Sequence, residues 1–195
     1  MDGKVPPGWQ SVKLGRIAHV IMGQSPASAF VNEEGLGMPF IQGNAEFGSR
    51  YPAPVKWCAK PTKTAKKGDI LLSVRAPVGA LNVADRDLAI GRGLSAVRFK
   101  DGLPHFGWYA LNWTVRQLEK VAQGSTFTAV GRNEVSGLPI LFPPLAEQRK
   151  IAEILSSVDD AIERTEMVIR QVQVVRRGLL QQLISRGIPG RHTRF

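Results

Sequence analysis

Nine polar side chains stand beside glycines, prolines or the ends of apolar runs: Gln24, Ser25, Gln42, Asn44, Arg75, Arg92, Ser125, Thr126 and Arg132. Loops that carry function lie at such places. Arginine offers paired donors that match guanine, and glutamine or asparagine offers the donor and acceptor that match adenine. Lysine meets phosphate instead, as a point charge. Lys60, Lys63, Lys66 and Lys67, with Lys56 and Trp57, lie in a proline-rich stretch from Tyr51 to Lys67 that reads as an exposed basic loop beside phosphates. Taken singly, each polar residue has an alternative as a turn cap or hairpin brace. Taken as a set, they are candidates for contacts to base edges.

Catalytic chemistry leaves little trace. His19, His105 and His192 are scattered without ligand spacing. There is no phosphate-binding loop with a GxxxxGK core, and Gly91-Arg92-Gly93 is too short for a dinucleotide fingerprint. Phe142-Pro143-Pro144 lacks the Asn or Asp that would hold an amine for methyl transfer. The lone cysteine, Cys58, leaves neither a disulfide framework nor a cysteine zinc site. No active site, cofactor or metal is expected. MDGKVPPGWQSVKLG has no signal-peptide core, and nowhere do eighteen apolar residues run together. A soluble, cytoplasmic protein is expected.

The elements that must position these residues divide the chain in two. Residues 1–143 form the first part, which is β-rich. Met38 to Gln42 reads as a short strand. Gly68-Asp69 opens the clearest one, Ile70 to Arg75, which Ala76-Pro77-Val78-Gly79 turns back into Ala80 to Ala84. Leu88 to Ile90 and Leu94 to Phe99 continue the β pattern across Gly91-Arg92-Gly93. A helix from Pro104 through Trp108, Leu111 and Leu118 stops at Gln123-Gly124, a helical turn spans Arg132 to Val135, and Leu138 to Phe142 leads to Pro143-Pro144.

Residues 144–195 form the second part. Apolar or small side chains recur at Ile151, Leu155, Val158, Ile162, Thr165, Ile169, Val172, Leu179 and Leu183, interrupted only by Arg176. That 4-3 alternation is a coiled-coil seam. A second row, Ile154, Ala161, Val168 and Val175, widens the apolar face beyond what a two-stranded coil uses. No glycine or proline interrupts Leu145 to Arg177. Glu147 to Glu166 hold six acids against three bases, and Met167 to Phe195 hold six arginines and no acid. An identical helix lying antiparallel would match charge along its length. The alternative is an amphipathic helix folded back on its own domain. Of the net charge of +10, residues 1–144 supply 17 bases against 10 acids. So basic a domain expects a polyanion, most often nucleic acid.

The motifs in order carry a family resemblance. Trp9 to Leu14, Gly23-Gln24-Ser25-Pro26, MPFIQGN, GDILLSVRAPVG, AIGRGLSAVR, GSTFTAV, LPILFPPLAEQRKIAEILSSVDDAI and GLLQQLISRG together resemble the DNA-specificity subunit of type I restriction-modification enzymes. The resemblance implies an α+β protein: a β-rich target-recognition domain followed by one long coiled-coil spacer helix. It implies double-stranded DNA as ligand. Methylation and cleavage would belong to separate methyltransferase and restriction subunits, using S-adenosylmethionine and ATP respectively. Family members usually carry two recognition domains and two helices, and this chain has one of each. Its ending, Gly187 to Phe195, resembles the linker into a second half, which leaves open a half-subunit or a fragment. Either form is expected to pair with a copy of itself through Ile151, Leu155, Val158, Ile162, Ile169, Val172, Leu179 and Leu183. The competing readings are a coiled-coil adaptor whose basic domain binds RNA or protein, and a stand-alone DNA-modifying enzyme.

Overall fold

Ile70–Ser73 is buried on both faces, so the sheet that contains it must be covered twice. The computed structural model, which describes residues 5–100, 104–122 and 130–187, shows how. Strands β1 (Gln10–Lys13), β2 (Ala18–Met22), β3 (Val31–Asn32), β4 (Met38–Ile41), β5 (Lys56–Cys58), β6 (Thr64–Ala65), β7 (Ile70–Ser73), β8 (Leu81–Val83), β9 (Leu88–Ile90), β10 (Leu94–Phe99) and β11 (Pro139–Phe142) accompany helices α1 (Leu14–Ile17), α2 (Pro104–Ala122), α3 (Arg132–Gly137) and α4 (Leu145–Arg186). They form three sheets: β1-β11, β2-β10-β7-β8, and β3-β5-β4-β9-β6. All pairings are antiparallel except that of β4 with β9.

Strand side chains alternate between faces, and the cores follow that alternation. Ile70, Leu72 and Val97 share one cluster with Leu14, Leu111, Val115, Val135 and Ile140 of the helices and the β1-β11 ribbon. Leu71, Leu94 and Ala96 share the other with Ile41, Ala65, Leu88 and Ile90 of the five-stranded sheet. Helices cover one face of the central sheet and a second sheet covers the other. The Tyr51 to Lys67 stretch, expected to be a basic loop, instead supplies β5 and β6 to that second sheet. Two and three residues are too few to show a pattern; their ladder partners in β3, β4 and β9 make them strands.

At the entrance to β7, buried Asp69 receives both Nε and Nη2 of Arg98, at 2.8 and 2.7 Å, and the Lys66 amide at 2.7 Å. Gly68 turns the chain there with φ +89°. At the other border of the domain, the β1-β11 ribbon leads into Pro143-Pro144 and α4. The Trp9 indole N–H donates to Glu147 at 2.8 Å, and the buried Gln148 side chain donates to the Pro143 carbonyl at 2.7 Å. The Glu-Gln pair after the prolines therefore secures the first turn of the helix.

The chain divides into two compact units, Met1–Ala152 and Glu153–Phe195, so the opening turns of α4 belong to the first. Across 42 residues α4 rises about 63 Å at ~1.5 Å per residue. Its seam is open: Leu155, Val158, Ile162, Ile169, Val172, Leu179 and Leu183 are 37% to 59% exposed, while Ile151 is half-buried. A sheet-rich α+β domain followed by a long helix is the architecture expected.

Removing Arg98 leaves the Asp69 carboxylate buried with the Lys66 amide for company. We expect Arg98→Ala to cost about 1.5 to 3 kcal/mol, read from urea unfolding followed by tryptophan fluorescence. Lys66→Ala, which breaks an exposed pair with Asp87, should shift the midpoint little.

Candidate nucleic-acid interface

β2, β4, β7 and β9 all end, and β10 begins, at the same edge of the two stacked sheets. The register shows it, with Ser95 opposite Met22, Leu94 opposite Ser73, and Ile90 opposite Ile41. Four segments leave these ends: Gly23-Gln24-Ser25, Gln42-Gly43-Asn44, Val74-Arg75 and Gly91-Arg92-Gly93. Backbone hydrogen bonds stitch them together. Gly23 donates to Leu94, Gln24 to Ile90, Gly91 to Ile41, Gly93 to Gln42 and Val74 to Gly93, at 2.8 to 3.2 Å. Val130 donates in turn to Val74 at 2.9 Å, which brings the start of α3, and Arg132, beside the Arg75 loop. Gln24, Arg75, Arg92 and Arg132 are exposed.

Close approach at this edge depends on missing side chains. A Cβ on Gly23 would lie 2.1 Å from the Gly91 carbonyl, one on Gly91 2.6 Å from Gln42 Oε1 and 2.8 Å from its Cα, and one on Gly93 2.7 Å from the Gln42 carbonyl. Ser25 and Gln42 join directly, with Ser25 Oγ 2.9 Å from Gln42 Nε2 and 3.2 Å from its Oε1, and the Arg92 amide donates to the same hydroxyl at 3.3 Å. The buried Ser73 hydroxyl lies 2.9 Å from the carbonyls of both Arg75 and Pro77 and so braces the Arg75 loop. These glycines and braces have a sequence signal only in retrospect, as small residues next to each polar one.

The lysines are not brought together. Lys63 reaches the edge, because its carbonyl accepts from Ile90 at 3.0 Å. Lys60 Nζ lies 4.7 Å from the centre of the Phe30 ring, within reach of a cation–π attraction. Lys66 and Lys67 precede β7 and so lie at its far end from Arg75, roughly 13 Å or more away for four strand residues. Lys66 is also engaged: its ammonium lies 2.6 Å from Asp87, and the Lys67 amide donates to the same carboxylate at 3.0 Å. The hydrogen bond from Lys66 is the main reason the Asp87 carboxyl is held below the usual range. Arg86 does the same for Asp85, chiefly by its side-chain hydrogen bond. Ser125 and Thr126 lie outside the described residues, as does His192. Among the described residues no cluster of three or more His, Cys, Asp or Glu could hold a metal, and no helix is long and apolar enough to cross a membrane.

Comparison with known proteins identifies the family. Residues 6–173 match the type I restriction modification DNA specificity domain. The chain belongs to that family. A Methanocaldococcus jannaschii protein described as a type I restriction enzyme MjaX specificity subunit is 39% identical over 187 residues, 94% of this chain and 44% of the relative. The HsdS subunit from Thermoanaerobacter tengcongensis superposes with a TM-score of 0.73 at 36% identity, over 96% of this chain and 47% of the other. A chain solved in work on complex assembly and conformational transition of the type I R-M system gives 0.79 at 38%, over 97% and 48%. The chain thus spans less than half the length of the relatives it matches.

The glycine requirement is testable within the family fold. Gly91→Ala forces Gln42 to move at both side chain and Cα, and should destabilise by about 1 to 3 kcal/mol as overpacking does. Gly43→Ala, with open space around its Cβ, should stay within about 0.5 kcal/mol of wild type. Thermal or urea unfolding of the two variants side by side checks this.

Proposed function

We propose that this protein is the non-catalytic, sequence-specific DNA-binding subunit of a type I restriction-modification complex, acting in the cytoplasm. The observation that carries the proposal is the edge where Gln24, Arg75, Arg92 and Arg132 converge, exposed, on a basic domain of the specificity family. The arginines meet base edges, and Lys60, Lys63 and Lys67 meet phosphates. Methyltransferase and restriction subunits, with S-adenosylmethionine and ATP, supply the chemistry.

Pairing through α4 completes the subunit. Its seam side chains are exposed and its charge runs from acidic to basic along the chain, which supports an antiparallel homodimer. In such a pair the flanking rows Ile154, Ala161, Val168 and Val175 of both helices come to one side, an apolar face on which a methyltransferase subunit can dock. Replacing Ile162 and Ile169 with Asp puts unpaired charge in the seam at several kcal/mol each. Sedimentation should then show loss of the dimer, and a wild-type monomer at micromolar concentration would remove the basis for pairing.

Contacts to DNA separate by salt. Neutralising Lys60, Lys63 and Lys67 should weaken all duplexes alike and flatten the salt dependence by about 0.9 per lost phosphate contact. Arg75→Ala or Arg92→Ala should narrow the gap between target and non-target DNA by ~1 to 3 kcal/mol. Identical behaviour of the two sets would refute the division. Absence of salt-sensitive duplex binding would favour the adaptor that binds RNA or protein.

A twofold pair joined by rods of about 63 Å reads two short half-sites around a spacer that it measures but does not read. Two half-sites read from one face of the duplex have centres separated by whole turns of ~34 Å, or ~10 base pairs, and the helix length sets that separation. Inserting one heptad after Val158 lengthens the rod by ~10 Å, and the preferred spacer should grow by about three base pairs, less if DNA bends. Selection from random duplexes checks this, and a contiguous asymmetric site would count against the dimer.

A further inference from the structure

Within the DNA-reading edge, the side chains with base-matching chemistry are not equivalent. Gln42 has the donor and acceptor that an adenine contact needs, yet both ends of its amide lie within hydrogen-bond distance of Ser25 Oγ, at 2.9 and 3.2 Å. Whichever way the amide is turned, it meets that hydroxyl. The pair is half-buried and its hydroxyl also accepts the Arg92 amide at 3.3 Å.

The effect falls on one residue. Three successive amides, of Gly91, Arg92 and Gly93, donate to Ile41, Ser25 and Gln42 respectively. Glycines on either side of Arg92 let the backbone lie against Gln42 where any Cβ would collide. The Arg92 backbone is thus fixed on three consecutive groups, while its exposed guanidinium has no partner among the described residues. A planar fork on a fixed stem loses less freedom on meeting DNA than one on a mobile loop.

We infer that Ser25 and Gln42 are positioning residues that act through Arg92, and that Arg92, not Gln42, is the side chain this corner presents to DNA. The inference rests on the DNA-reading proposal above and sharpens it.

The test is a thermodynamic cycle on the full chain, using its preferred duplex from random selection and a scrambled duplex. Ser25→Ala and Gln42→Met, which keep the volume nearly constant and remove the hydrogen bonds, should each weaken target binding roughly 2- to 12-fold, the range of one hydrogen bond. In an Arg92→Ala background the same changes should alter binding by less than about 1.5-fold. Ser25→Thr, which keeps the hydroxyl, should restore near wild-type binding, and unchanged thermal midpoints show that the fold survives. Repeated random selection with Gln42→Met should lose no base preference that Arg92→Ala retains. Multiplicative losses in the double variants, or a base position lost in Gln42→Met alone, would overturn the positioning role while leaving DNA reading intact. A wild-type chain that does not prefer any duplex over the scrambled one would overturn both.

Discussion

A strand buried on both faces is the constraint on which the domain depends. Ile70–Ser73 has no polar face to turn to water, so the sheet around it is sealed by helices on one side and by a second sheet on the other. Two sheets stacked on a shared core bring their strand ends to common edges. At one edge the chain must cross between sheets within a few residues, as Gly91-Arg92-Gly93 does from β9 to β10. The segments there approach until backbone meets backbone, which is why Gly23, Gly91 and Gly93 lack room for a Cβ. The candidate interface follows from how the core is closed.

The long helix obeys the opposite rule. Its apolar row, broken only by Arg176, is exposed from Leu155 onward, with Val172 more than half exposed. Fully burying one such side chain stabilises by about 1.5 to 3 kcal/mol, so a row repeated over several turns is a large incentive to associate. Its opening turns are secured inside the domain, where Glu147 accepts from Trp9, Gln148 reaches the Pro143 carbonyl and Ala152 is buried.

What could be read from the sequence follows the range of the interactions. The buried run at Ile70, the β10 strand and the 4-3 spacing of the rod are patterns within one segment, and they appear where expected. β5 and β6 were illegible because their identity comes from ladders to segments far along the chain. The candidate residues were legible by type and by their neighbouring turn formers, but their grouping was not. Nothing local to Lys66 announces Asp87, 21 positions later, and nothing local to Gln42 announces Ser25, 17 positions earlier. Charge placed Lys60, Lys63, Lys66 and Lys67 in one set; the fold puts Lys63 at the edge and Lys66 and Lys67 before the start of β7, and gives Lys60 the Phe30 ring and Lys66 the Asp87 carboxylate as partners.

Those partnerships decide which charges are free to meet a polyanion. A cation already bonded to a carboxylate has to give up that bond, or share it, before it gains from a phosphate. Lys66 with Asp87, Arg86 with Asp85 and Arg98 with Asp69 are all in that position. They raise the tally of basic residues without adding equally to the attraction for a polyanion. Arg75, Arg92, Arg132 and Lys63 carry no such debt among the described residues, and they stand at the edge where the loops converge. Hydrogen-bond occupancy thus sorts the basic residues more sharply than net charge does. It leaves Arg75, Arg92, Arg132 and Lys63 as unengaged cations beside a glycine-tight frame, the group that the proposed contact with DNA would draw on.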